Sequence, residues 1–281
     1  MDAVTSGTHN TAVGGGSLGS LTTGATNVAI GFDALGANTT GTANTAVGVN
    51  CLDNVDTVDN NTAVGYGALG QTTVAGNTAV GKNALTGNTT GTSNVATGYN
   101  ALLGNTEGAD NTAFGYEALK TATTVSGNTA FGSEALRANT SGAGNTAVGN
   151  EAMYGGTSGN RNTAIGNVCL DAINTGDDNT AIGSGAMGNN TSGAYNTAIG
   201  SAALVSNSSG SYNIGIGYQV SEQGTTGSGN IAIGAAAMNG INTGDNNIAV
   251  GRGALIANTS GTPNIAIGYG AGNSINNPVS V

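Results

Sequence analysis

Asn61-Thr62-Ala63-Val64-Gly65-Tyr66-Gly67-Ala68-Leu69 is the stretch that decides the fold, because its opening pentad returns throughout the chain. The pattern Asn-(Thr/Val/Ile)-(Ala/Gly)-(Val/Ile/Phe/Thr)-Gly begins at Asn10, Asn27, Asn44, Asn61, Asn77, Asn94, Asn111 and Asn128. It begins again at Asn145, Asn162, Asn179, Asn196, Asn213, Asn230, Asn247 and Asn264, sixteen copies in all. Fourteen intervals are 17 residues and one, Asn61 to Asn77, is 16. With the Asn as position 1, position 5 is Gly in every copy, and position 3 is Ala in every copy but Gly215. Position 4 is apolar except at Thr97, and position 9 is Leu or Met except at Ser221 and Gly272. Position 8 is mostly Ala and holds both cysteines, Cys51 and Cys169. Self-similarity of this regularity is the mark of a repeat architecture.

Two short extended segments per repeat fit the pattern: N-T-A-I-G with period-two alternation, and A-L-x-x-N-T, separated by glycine turns. Helix is a poor alternative, since each interior Gly costs about 1 kcal/mol. The reading is all-β, a parallel β-solenoid of about sixteen 17-residue coils. At about 4.8 Å per coil it makes a rod of roughly 75 Å. Residues 1–9 are expected to be an N-terminal extension and residues 10–281 a single repeat domain. Position 2 changes from Thr to Ile at Ile214, Ile231, Ile248 and Ile265. An isoleucine ladder open to water invites aggregation, so the face of positions 2 and 4 is expected to be buried, in the coil or between chains. Position 4, Ile182 for example, is accordingly taken as core. The Ala at position 3 points the other way and is expected at an inter-chain contact. The Asn at position 1 is expected to stack as an amide ladder.

Composition narrows the function. Of 281 residues 51 are Gly, only 7% are charged, and 38% are hydrophobic, which is too apolar for a disordered Gly/Asn/Thr chain. The net charge is −10, so no basic patch is available for nucleic acid or for an anionic membrane surface. No apolar run reaches the length needed to cross a bilayer as a helix, and Met1-Asp2-Ala3-Val4 does not read as a secretory signal.

The pentads N-I-A-I-G at Asn230–Gly234 and Asn264–Gly268 and N-V-A-I-G at Asn27–Gly31 resemble the head repeat of YadA-type trimeric autotransporter adhesins. N-T-A-V-G-Y-G-A-L at Asn61–Leu69 is similar to repeats of phage tail-fibre and related bacterial surface proteins. The resemblance spans essentially the whole chain. It implies a left-handed parallel β-roll, trimeric, serving as head or shaft of an extracellular fibre.

Catalytic constellations are not expected, and neither is a cofactor or a metal site. His9 is the only histidine, which rules out a His-based acid/base pair or a two-His metal site within one chain. Cys51 and Cys169 lie seven coils apart, too far for an intrachain disulfide; they read as small buried hydrophobes, with pairing to symmetry mates in a trimer as the alternative. Glu117, Glu134 and Glu151 share position 7 in consecutive coils, where like charges repel unless Lys120 and Arg137 at position 10 relieve them. A solvated ridge is the plain reading of that row, with a cation site or a glycosidase pair as the sharper ones. N-x-S/T sequons occur at position 12, at Asn38, Asn88, Asn139, Asn190, Asn207 and Asn258, as candidate glycosylation sites beside the simpler reading of turn composition.

The expected function is structural: a non-enzymatic subunit of an extracellular, cell-surface or virion fibre, self-associating as a trimer or, through open terminal coils, head to tail into a filament. The alternative is an adhesin for a receptor or a cell-surface glycan, for which Tyr66, Tyr99 and Tyr116 at position 6 are the aromatic signal. A third reading, an ice-binding face of Thr ladders, is weakened by the change to Ile in the last four coils.

Overall fold

A computed structural model describes residues 5–173, 175–240, 243–257 and 263–273. The fold is all-β, a parallel β-solenoid, and no described residue is helical. The chain divides into two compact units, Met1–Ser141 and Gly142–Val281. The first holds eight strands, β1 (Thr11–Val13) to β8 (Thr129–Phe131), and the second another eight, β9 (Thr146–Val148) to β16 (Ile265–Ile267). Each strand is three residues long and covers positions 2 to 4 of its coil. Within each unit every strand pairs in parallel with the next, like position on like position: Thr11 with Val28 in the first unit, Thr163 with Thr180 in the second. The repeat dictates this register, since identical spacing brings each position over its own copy one coil away.

The interior is narrow. Position 3 turns inward, and Ala29, Ala46, Ala63, Ala147, Ala164 and Ala181 are fully buried. The opposite wall supplies Ala at position 8 and Leu or Met at position 9, also buried. On these two walls one large side chain and two small ones recur in most layers. The buried Asn at position 1 and position 12, most often a buried Asn but Leu21, Val55 and Ile173 in other coils, fill the rest of the interior. The thirteenth coil shows how tightly: Gly215 replaces Ala, Val220 replaces the position-8 Ala, and Ser221 replaces Leu. A Cβ on Gly215 would lie 2.8 Å from Leu204 Cγ and 3.2 Å from a Val220 methyl, so volume gained at one position is given up at the others.

The expectation for position 4 is therefore reversed. Ile182 is 36% exposed, and Phe131 and Ile267 more so. Positions 2 and 4 face out of the coil, while the Ala at position 3, assigned to an inter-chain contact, lines the coil's own core. With Leu already filling the space opposite the strand, only a methyl group fits there.

The second extended segment does not form either. Positions 6 to 11 are a series of turns, because positions 5, 7 and 9 take positive φ, as position 17 does in the closing turn. At position 9 this holds even for leucine (Leu35 at 51°, Leu102 at 52°). A left-handed L-residue costs about 1–2 kcal/mol. It is offset by full burial of the side chain and by a bond between coils, as in Leu35 N–H to the Cys51 carbonyl at 3.1 Å. Position 7 takes the same conformation, with residues that tolerate it at Gly16, Asp33, Asn50 and Asn83 but also with Glu117 and the β-branched Val168.

Asparagine ladders run through the interior as expected. Asn44 N–H donates to Asn27 Oδ1 at 3.0 Å, and its own Nδ2 reaches the position-15 carbonyl, that of Val58, at 2.6 Å. Each amide thus joins its own coil's end to the coil before it. In the 16-residue coil Asn61 Nδ2 binds Val74 O instead, which places the missing residue in the closing turn and leaves the strand register intact. The N-terminal extension is described from Thr5 onward. Thr5 N–H bonds to Thr22 O, Thr26 N–H to Thr8 O, and His9 has the position-17 φ of 61°. Residues 5–9 are thus the closing turn of a coil.

Candidate functional surface

The outer face of the strands carries Thr, Val or Ile at position 2 and Val, Ile, Phe or Thr at position 4, with no charged residue at either in any coil. Phe114 and Phe131 stack on it with centroids 4.8 Å apart and planes 7° from parallel. In the second unit Thr146, Thr163, Thr180 and Thr197 form an in-register row, followed by isoleucines from Ile214.

Position 6 projects beyond the glycine at position 5 and stays exposed. Tyr99 and Tyr116 stack there at 5.5 Å. The Lys82 ammonium lies 5.8 Å from the ring centres of both Tyr66 and Tyr99. The three tyrosines singled out from the sequence thus stand in one line. That line also contains Phe32, Val49 and Lys82, which reading for tyrosines alone missed although they share position 6. The second unit has aromatic contacts of its own: Tyr195 on Tyr212 at 5.0 Å, and Arg252 over Tyr269 at 5.0 Å.

The carboxylate row is neutralised where the first unit describes it. Glu117 is buried and takes Lys120 Nζ at 2.8 Å on Oε1 and Arg137 Nε at 2.8 Å on Oε2. Arg137 also reaches Glu134 at 3.8 Å. The Lys120 hydrogen bond, reinforced by Arg137 and Asn100, holds the Glu117 carboxyl down at about 2. A group so acidic stays ionised and cannot serve as a general acid, and its cation positions are taken by side chains. Glu151 lies in the second unit. Among the described residues no group of three or more His, Cys, Asp or Glu is placed to hold a metal ion.

The five described sequon asparagines are interior. Asn38, Asn88, Asn139, Asn190 and Asn207 are buried; Asn258 lies outside the described residues. Asn190 Nδ2 donates to Gly193 O at 2.9 Å and its Oδ1 accepts from Gly193 N–H at 2.8 Å, a side-chain turn that closes the coil. An amide committed in this way is not presented to solvent on the folded chain. Both thiols are also inside their coils, where burial pushes Cys51 up to about 11 and Cys169 up to about 12. They are inert small hydrophobes, and pairing with a symmetry mate is sterically closed to them.

No protein-family model and no curated protein matches this chain.

Proposed function

We propose that this protein is a structural subunit of an extracellular or virion fibre that associates with copies of itself through the outer face of its strands. The observation that carries the reading is the uncharged ladder at positions 2 and 4, apolar at position 4 except at Thr97 and facing outward in each unit. Eight strands at about 4.8 Å, each about 10 Å wide, make an outer face of about 400 Å² per unit. The position-4 row supplies the apolar part of that face, beside a position-2 row that is mainly Thr in the first unit and Ile from Ile214 in the second. The largest exposed apolar patch of a protein is often a functional surface. The resemblance of the pentads to fibre and adhesin-head repeats supports the extracellular setting and a trimer. Sedimentation and negative-stain microscopy across a wide concentration range test the reading. Oligomers or filaments are expected, and monodisperse monomers throughout would overturn it.

A second reading, an adhesin built on the same coil, is favoured by the exposed position-6 line of Phe32, Val49, Tyr66, Lys82, Tyr99 and Tyr116. Aromatic side chains are enriched in surfaces that bind partners. Binding to a glycan array by the purified chain tests it.

A further inference from the structure

A groove runs along the turns of the first unit, between the position-6 line and the residues at positions 10 and 11. One section, of about 370 Å³, is bordered by Asp33 and Asp53 over a floor of Gly16, Gly19 and Gly36. The next, of about 200 Å³, shares Asp53 and continues past Tyr66, Gly67, Gly70, Gln71 and Asn83. The glycines create the space. A Cβ on Gly16 would fall on the Asp33 carboxylate, and one on Gly67 would come 3.2 Å from Asn83 Oδ1. We infer that this groove is a binding site for an extended, uncharged glycan chain, with Asp33, Asp53, Gln71 and Asn83 as hydrogen-bonding groups and Tyr66 as the apolar contact.

Three observations converge on that ligand class. Four successive coils each place a carboxylate or amide along the groove: Asp33, Asp53, Gln71 and Asn83. The carboxylates of Asp33 and Asp53 accept from sugar hydroxyls, while the amides of Gln71 and Asn83 can both donate and accept. The coil rise of about 4.8 Å is close to the advance of one pyranose in an extended chain, so successive coils offer one polar group per sugar, from positions 7, 10, 11 and 7 in turn. Tyr66 at the groove's rim is 54% exposed, an aromatic body for the apolar face of a ring. Charge selects within the class. Asp33 and Asp53 share one section, and burial together with the Asp33 charge raises the Asp53 carboxyl above its ordinary value. Anionic glycans are repelled there.

The inference rests on the second reading above, and its test separates the two. The full chain is titrated with neutral hexasaccharides of the chito-, cello- and malto- series, with sialylated and phosphorylated oligosaccharides, and with Ca²⁺ alone. At least one neutral series is expected to bind and the anionic set to fail. Asp53→Ala and Tyr66→Ala should each weaken binding tenfold or more with melting unchanged, while Tyr212→Ala, in the second unit, should leave it intact. Glycan binding that survives both groove variants would overturn the groove and leave the adhesin reading standing. Absence of binding to any oligosaccharide would overturn both, as would Ca²⁺ binding lost in Asp53→Ala with no sugar bound, which would make the groove a cation site.

Discussion

The glycine at position 5 is the least replaceable residue of the coil. Gly183 has φ of +134°, and an added Cβ would lie 2.5 Å from the Gly200 carbonyl oxygen of the next coil. Strain and collision act together, and neither neighbour can yield because each repeats the same contact. Gly183→Ala should cost more than about 2 kcal/mol, and Gly183→Val should abolish the cooperative melt of its unit. Calorimetry reads both, and a variant melting like the wild type would remove the argument. The adjacent residue behaves oppositely. Ile182 faces out, so Ile182→Asp should change stability by less than about 1 kcal/mol while weakening self-association. Paired melting and sedimentation check this, and a large fall in melting temperature would return position 4 to the core.

At the scale of the coil, two polar networks hold neighbours together. Asn179 Oδ1 accepts from Asn196 N–H at 3.0 Å and from Asn196 Nδ2 at 3.0 Å, and Asn179 Nδ2 donates to Gly193 O at 2.9 Å. Asn179→Ala leaves a buried N–H without its acceptor, and should cost about 2–4 kcal/mol by denaturant titration. The Glu117 network adds a pH dependence. Its carboxyl is held at about 2 against an ordinary 4.5, so the ionised form is the stabilising one. That contribution is complete above the ordinary value and is lost as pH falls from there through about 2. Glu117→Gln should lower stability near neutrality and flatten the acid limb of the stability curve over that window. An unchanged acid limb would show that the network contributes nothing to folding.

At the scale of the whole molecule, stability is a sum over coils and the contacts between neighbours. The unit of tolerated change is therefore one full repeat. Deleting residues 162–178 within the second unit removes 17 residues and restores every ladder one coil on. This variant should keep its β-type circular dichroism and a cooperative melt. Deleting 162–170 alone shifts every downstream position and should destroy both. Natural length variation supports the distinction: the 16-residue coil keeps its strand in register because its missing residue falls in the closing turn.

The amino-acid sequence by itself determined the number of coils, their parallel register, the asparagine ladder and the glycine at position 5. All of these follow from identical residues returning at a fixed interval, so that each side chain meets its own copy. It also placed Lys120 and Arg137 beside Glu117, since the position numbers alone bring them together. Which face of the strand lies inside was decided only by the tertiary structure. Alternation in Thr-Ala-Ile separates two faces without assigning either, and both Ala and Ile are apolar enough for a core. The leucine of the opposite wall settles it by filling the layer until only the Ala methyl fits. The same burial turns a segment that reads as a strand into left-handed turns, because Leu35 and its counterparts reach the interior only at positive φ. It also draws the described sequon asparagines inward, where Asn190 closes the turn at Gly193.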